Sequence, residues 1–452
     1  MILSDTLRAD ALSCYGGPAK TPRICSLAER GVLFEKAYSN GAWTLPSSVA
    51  LFTGQYPTVF AREGGARVPA NRFYLVPRSE MLLAEELRAN GFETVAFVES
   101  GVAHKPRPFQ GFDVRDVTDL ERLEALHGVW GRERGIDIAD GRRLQTIPME
   151  RYLLEKRDPS FFALQWFKDP HAVYEPQPRY VETLDVDTAT LPQPIAYYSR
   201  LAARTDSARG WLDFEERVPD MTPAELATVR ALYHKEVESV DERVGAILDA
   251  LEAGGQRDRT LVIFTSDHGE GFGEHGKYFH ADRWFYREFV HVPLIVAGPG
   301  AARGVRVADR VSHIDVIPTL RELLGRPTAA LDQGSSLAAL LRGENDAAGD
   351  RLQYLVGTSR SDGFAALVDG RFKLITRPDS VELFDVRADP DETQDVWAEY
   401  PDAVAAMRRM IDALYEENVS RREERVGGAT PERVREVGEE TLRELRALGY
   451  ID

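Results

Sequence analysis

Residues 260–270 read TLVIFTSDHGE, a short apolar run that ends in a carboxylate and an imidazole side by side, with glycine following. An apolar run of this length, rich in β-branched and aromatic residues, fits a strand buried on both faces, as in a parallel sheet. In open α/β sheets ligands bind beyond the carboxyl ends of the strands, which is where Asp267 and His268 fall. Similar strand candidates stand at 93–98 (ETVAFV), 161–167 (FFALQWF) and 292–298 (VPLIVAG). Capped helices alternate with them. Thr222-Pro223-Ala224-Glu225 is a capping box with proline at the first position, and Leu226, Val229, Tyr233, Val237, Val240, Val244, Ile247 and Leu251 follow at helical spacing until Gly254-Gly255. Thr21-Pro22 to Gly31 and Ser79 to Gly91 repeat that start and stop logic. The alternation predicts an α/β fold, a large mostly parallel sheet covered by helices on both faces.

From about residue 347 the texture changes. RLQYLVG, FAALVDGRFKLITR and VELFDV are shorter strand candidates, with Asp369-Gly370 as a hairpin signal. They predict a smaller antiparallel subdomain over 347–452, with a covering helix at 401–417, a polar link at 421–432 and a terminal helix at 431–448. Residues 1–346 then form the catalytic domain. Within it, 172–221 are rich in Pro, Asp and Thr and weakly periodic, so they read as a surface excursion suited to a lid or specificity wall.

Composition bounds the function. The chain has 452 residues, 43% of them hydrophobic, enough for a large core. A formal charge of −17 repels polyanions, which argues against a nucleic-acid partner. No apolar stretch approaches the roughly 20 residues needed to cross a bilayer, and Met1 to Asp10 carries no leader pattern, so a cytoplasmic protein is expected. The four residues before Asp5 are short for a first strand, which suggests an upstream start and leaves room for an export signal. Cys14 and Cys25 cannot build a disulfide framework and are expected to be reduced. Homo-oligomerisation is compatible with all of this.

Three further stretches add candidate chemistry. Met1 to Ser4 is a short apolar run ending in Asp5, and FFALQWF leads into Lys168, Asp169 and His171. Lys and His side chains donate to anionic oxygens. GEHGKYFH brings His275, Lys277 and His280 into one glycine-containing loop. Finally, 40–54 read NGAWTLPSSVALFTG, where Thr44 fits either the N-cap of a helix with Pro46 in its first turn or a nucleophile. Each of these, alone, is more often a turn or cap residue than a catalytic one.

Together they are more specific. DTLRADALSCYGG, TPRICSLAERGVLFEKAYSNGAWTLPSSVALFTGQYPT, DPHAVYEP, TSDHGEGFGEH, HVPLIV and VSHIDVIPTL, in this order, resemble the sulfatase branch of the alkaline phosphatase superfamily. The closing LFDVRADPDETQDV and ETLRELRALGYID are similar to that family's C-terminal region. The resemblance implies a metal hydrolase of sulfate or phosphate esters acting on a small anionic ester, with Asp5, Thr44, Asp267 and His268 matching metal ligands and Thr44 matching the nucleophile. Members of that branch carry Cys or Ser at the Thr44 position, oxidised to formylglycine, and an arginine four residues on. This chain has Thr44 and Ser48, and Thr6 replaces the second carboxylate of the family's Asp-Asp pair. Threonine cannot yield that aldehyde, so direct attack by Thr44 is expected instead. Zinc lowers the pKa of bound water from about 15.7 to about 7, and an alcohol on the same ion gains similarly.

The expected cofactor is one divalent ion. A single imidazole favours zinc or manganese, and the carboxylates admit calcium or magnesium. A second ion would need Asp169, His171 or His280. Lys168, His171 and His280 are expected to stabilise charge during transfer. Three functions follow: phosphodiester, phosphomonoester or phosphonate monoester hydrolysis first, sulfate ester hydrolysis without formylglycine second, and a catalytically silent binding protein third.

Overall fold

The computed structural model describes residues 1–60, 76–77, 80–99, 109–155, 160–172, 174–184, 222–281, 283–327, 329, 332–344, 351–356 and 364–426. In chain order the strands are β1 Ile2–Ser4, β2 Gly31–Tyr38, β3 Glu93–Val98, β4 Asp113–Asp116, β5 Phe161–Phe167, β6 Val262–Ser266, β7 Gly271–Phe272, β8 Tyr278–Phe279, β9 His291–Ala297, β10 Val305–Ser312, β11 Gln353–Val356, β12 Ala365–Asp369, β13 Phe372–Thr376 and β14 Val381–Asp385. Among the described residues the helices of seven residues or more are α1 Pro22–Arg30, α2 Thr44–Thr53, α3 Leu83–Ala89, α4 Leu120–Glu133, α5 Gly141–Glu155, α6 Pro223–Ala253, α7 Val316–Leu323 and α8 Pro401–Val426.

Eight strands form the main sheet in the order β10-β2-β9-β6-β1-β5-β3-β4. Its pairs are parallel except at β9, which runs antiparallel to both β2 and β6. The chain leaves β6 at its carboxyl end and turns back on that same edge, so β9 must run the other way. Side-chain alternation explains why the strands read as continuous apolar runs. Ile2, Phe167 and Phe264 face a core built with α1, α4, α5 and α6, whereas Leu3, Trp166 and Ile263 face one built with α2, α3 and α7.

The expected α6 is present, with Thr222 as its capping residue and its stripe on the sheet. Gly31 does more than end α1: a Cβ there would meet the Val296 carbonyl oxygen at 2.1 Å, so only glycine lets β2 begin directly against β9. The helix expected over 79–91 is shorter, Leu83–Ala89, because Glu85 Oε2 takes the Leu82 N–H and starts the helix there; Ser79 lies outside the described residues.

The second sheet, β11 to β14, is antiparallel throughout, with Asp369-Gly370 turning the β12–β13 hairpin as expected. One face packs on α8 and the other on Tyr38, Trp284, Phe285 and Phe289. Helix α8 extends to Val426, so it absorbs the start of the expected polar link. The expected terminal helix at 431–448 and most of the 172–221 excursion, residues 185–221, lie outside the described residues.

One expectation is overturned. Cys14 and Cys25 form a disulfide, their Cα atoms 5.4 Å apart. The pairing depends on α1 folding back on the 13–15 turn, where Ser13 N–H donates to Thr21 Oγ1 at 3.0 Å, and eleven-residue spacing alone does not reveal that. No helix among the described residues is long and apolar enough to cross a membrane.

Candidate active site

Four strands deliver chemistry to one edge. β1 and its parallel neighbours β5 and β6 end in register at Ser4, Phe167 and Ser266, so Asp5, Lys168 and Asp267 follow side by side, and Glu99 follows the end of β3 at Val98. A buried side chain at such an edge must be held by the backbone turns around it. Asp267 Oδ1 accepts the N–H of Thr6 at 3.1 Å and of His268 at 2.9 Å, which fixes the carboxylate and leaves Oδ2 with no hydrogen-bond partner among the described residues.

His268 is oriented the same way. Its Nδ1 lies 2.9 Å from the Gly269 carbonyl, an acceptor only, so Nδ1 donates there and Nε2 is the nitrogen turned to the other side chains. That nitrogen faces Asp267 Oδ2 at 3.4 Å, Asp5 Oδ1 at 3.7 Å and Thr44 Oγ1 at 3.3 Å. Asp5, Asp267 and His268 are buried, and their ligand atoms lie within 4.8 Å of one another; they are the one group of three metal-competent side chains among the described residues. Two carboxylates, an imidazole nitrogen and an alcohol suit a divalent cation, whose charge the carboxylates would balance.

Thr44 is not the N-cap of its helix. Trp43 takes that position in extended conformation and Thr44 is the first helical residue, with Pro46 in the first turn. The hydroxyl is thereby free to point at His268, and the helix N-terminus favours negative charge on it. Ser47 and Ser48 contribute nothing here: their hydroxyls donate to carbonyls of their own segment, Trp43 and Leu45.

The other expected residues divide. His171 and His280 join His268 in a cluster, with ring centroids 5.0 Å apart between His171 and His280 and 4.4 Å between His268 and His280. Burial, then His280 and Lys168, hold His171 well below the ordinary imidazole pKa. It is therefore neutral, and because Nδ1 donates to the Ala172 carbonyl at 2.6 Å, Nε2 is an acceptor. His280 Nδ1 meets Glu270 Oε1 at 2.9 Å, and Tyr174 donates to Oε2 at 2.9 Å. Burial pushes Glu270 up to about 8, so the carboxyl is protonated at neutrality and donates a hydrogen bond to Nδ1, which leaves the ring proton on His280 Nε2 as a donor. The composition around the cluster did not mark Glu270; its position in the Asp-His-Gly-Glu run was the only signal.

Lys168 and Asp169 stay out of the cluster. The Lys168 side chain is exposed at the rim, within electrostatic reach of His171. Asp169 Oδ2 sits between Arg142 at 2.7 Å and Arg243 at 3.3 Å, committed to an ion-pair network and not oriented for a second cation. Arg243 also pairs with buried Glu99, and Arg142 with Glu236.

Comparison with known proteins bears on this arrangement. The Sulfatase family model matches residues 1–326, and that of the N-sulphoglucosamine sulphohydrolase C-terminal region matches residues 273–419. The chain is 26% identical over 418 residues to a choline-sulfatase of Rhizobium meliloti, covering 83% of this chain and 78% of that protein. It is 24% identical over 489 residues to an N-acetylglucosamine-6-O-sulfatase of Bacteroides thetaiotaomicron, covering 91% and 85%. Among solved structures, the phosphonate monoester hydrolase of Agrobacterium radiobacter superposes with a TM-score of 0.70 at 23% identity, over 92% of this chain and 95% of that one. A 2-O GAG sulfatase gives 0.70 at 21% identity, over 94% and 92%. These likenesses bear out the expected fold, a mostly parallel sheet with helices and a small antiparallel sheet at the C-terminal side. With its family model spanning residues 1–326, this chain belongs to the Sulfatase family.

Proposed function

We propose that the protein is a metal-dependent hydrolase of phosphate esters (phosphodiester, phosphomonoester or phosphonate monoester) in which Thr44 is the covalent nucleophile. The observation that carries this reading is the Thr44 hydroxyl at 3.3 Å from His268 Nε2, on the nitrogen that also faces Asp5 and Asp267. Those three side chains would hold the ion and Thr44 would lie against it. A divalent cation bound there would acidify the alcohol and draw charge from the ester oxygens.

The chain's own groups supply the rest. Thr44 Oγ1 attacks phosphorus in line; the new O–P bond forms as the bond to the leaving group breaks, and the leaving oxygen takes a proton. His280 Nε2, a donor, is suited to give that proton or to bond an equatorial oxygen. His171 Nε2, an acceptor, is suited to take the Thr44 proton or to activate the water that later cleaves the phospho-threonine. Exposed Lys168 adds positive charge at the rim. We assign the catalytic role to residues 1–346. Sulfate ester hydrolysis by the same direct attack is the second reading, favoured by the sulfatases among the curated relatives.

The test compares p-nitrophenyl phosphate, bis-p-nitrophenyl phosphate, a phenylphosphonate ester and p-nitrophenyl sulfate on metal-loaded wild type and Thr44→Ala. Phosphorus esters are expected to turn over and to depend on Thr44. Preferential sulfate turnover would reverse the order of the two readings. No turnover of any ester, with no metal by elemental analysis, would leave a silent binding protein.

A further inference from the structure

Thr6 follows Asp5 at the end of β1, and two features set it apart. Its φ is 55°, so a β-branched residue occupies the left-handed region, which such side chains rarely adopt. It is also fully buried, and its Oγ1 has no hydrogen-bond partner among the described residues. A strained backbone and an unsatisfied hydroxyl each destabilise the fold, and no hydrogen bond among the described residues satisfies that hydroxyl.

The turn is nonetheless held from four sides. Asp5 N–H donates to the Phe167 carbonyl at 3.0 Å, Thr6 N–H to Asp267 Oδ1 at 3.1 Å, Leu7 N–H to Ser266 Oγ at 2.8 Å and Arg8 N–H to the Tyr233 hydroxyl at 2.9 Å. The Tyr233 hydroxyl in turn donates to the Thr6 carbonyl at 2.9 Å. Tyr233 comes from α6, so the long helix fixes this turn directly. Thr6 is also one carboxylate away from the donor cluster, because the Asp267 group whose Oδ1 takes the Thr6 N–H turns Oδ2 toward His268 Nε2.

We propose that Thr6 Oγ1 is a neutral oxygen donor to the divalent cation held by Asp5, Asp267 and His268, an inference that rests on the metal-dependent reading above. Binding a cation satisfies the orphaned hydroxyl and explains why the turn is kept strained. The charge balance is unaffected: two carboxylates still match one dication, and the hydroxyl adds coordination without adding charge. Four donors from Asp5, Thr44, Asp267 and His268 complete a tetrahedral set of the kind zinc takes, whereas a fifth oxygen moves the site toward the larger coordination numbers of manganese, magnesium and calcium.

The test is metal affinity of the full chain, measured on chelator-stripped protein by competition of Mn²⁺ and Zn²⁺ against a chromophoric chelator. Wild type is expected to bind one Mn²⁺. Thr6→Ser, which keeps the hydroxyl, should retain that affinity, and Thr6→Val, which removes it at nearly constant shape, should lose roughly tenfold or more, with a smaller loss for Zn²⁺. Thr6→Ala removes the same hydroxyl and gives the same answer where the valine variant does not fold. Wild-type affinity for Mn²⁺ in a folded Thr6→Val or Thr6→Ala protein would overturn the role of Thr6 alone. Failure of wild type to bind either ion would instead overturn the metal-dependent reading, and this inference with it.

Discussion

Thr44 Oγ1 and His268 Nε2 lie 3.3 Å apart although 224 positions separate them in the chain. One residue opens α2 and the other follows β6, so only the assembled sheet brings them together. If that contact marks the reacting oxygen, Thr44→Ala should lower kcat for the preferred ester by about 10³-fold or more, while Thr44→Ser keeps part of the activity because it retains a hydroxyl at the same position. Steady-state kinetics on both variants check this. Equal activity of Thr44→Ala and wild type would contradict it.

Asp5 and Asp267 place two carboxylates against one imidazole in a dry pocket, an arrangement that repels itself without a cation. Saturating divalent metal should therefore raise the thermal midpoint of chelator-stripped wild type; a ligand at about 100 times its Kd contributes roughly 2.7 kcal/mol. Asp267→Asn keeps the Oδ1 contacts to Thr6 and His268 but loses the charge, so its midpoint should respond little to metal. Scanning calorimetry with and without metal makes the comparison.

Arg243 is almost wholly buried between Glu99 and Asp169 and holds the chain segment that carries His171. Removing one partner of a buried ion pair strands the other, so Arg243→Met should destabilise the protein by roughly 3–5 kcal/mol in urea unfolding. Glu99→Gln in the same chain should recover part of that loss. Additive losses in the double variant would argue that the two residues do not act as a pair.

His275 gives a pH dependence. Its Nδ1 lies 2.9 Å from Glu288 Oε1 and its Nε2 2.8 Å from the Glu392 carbonyl, so both nitrogens donate and the ring is the imidazolium. Burial opposes that charge, but the Glu288 hydrogen bond and carboxylate outweigh it and raise the pKa. A raised folded-state pKa stabilises fully below the ordinary imidazole value and is lost as pH rises through the folded value. The difference in thermal midpoint between wild type and His275→Gln should be largest near about pH 5.5 and shrink into the alkaline range. A difference that grows with pH would contradict this assignment.

The sequence made some of this legible and hid the rest for physical reasons. β3, β5 and β6 stand out because both of their faces are buried, which writes them as unbroken apolar runs. β2 and β10 were missed: Glu35 and Lys36 interrupt one, and Arg306, Asp309 and Arg310 interrupt the other, so neither reads as a buried strand. Asp5, Asp267 and His268 could be named because they follow strand ends, yet Asp169 gives the same local signal and is tied up by Arg142 and Arg243, which no local pattern reveals. The Cys14–Cys25 bond and the orienting role of Glu270 on His280 are likewise products of long-range packing.

The most direct measurement is an acid-quenched reaction of metal-loaded wild type with bis-p-nitrophenyl phosphate, followed by peptide mass spectrometry. The peptide containing Thr44 should carry one p-nitrophenylphosphoryl group, with one p-nitrophenol released for each, absent from chelator-stripped protein and from Thr44→Ala. That group on any other side chain, or undiminished turnover by Thr44→Ala, would contradict the account.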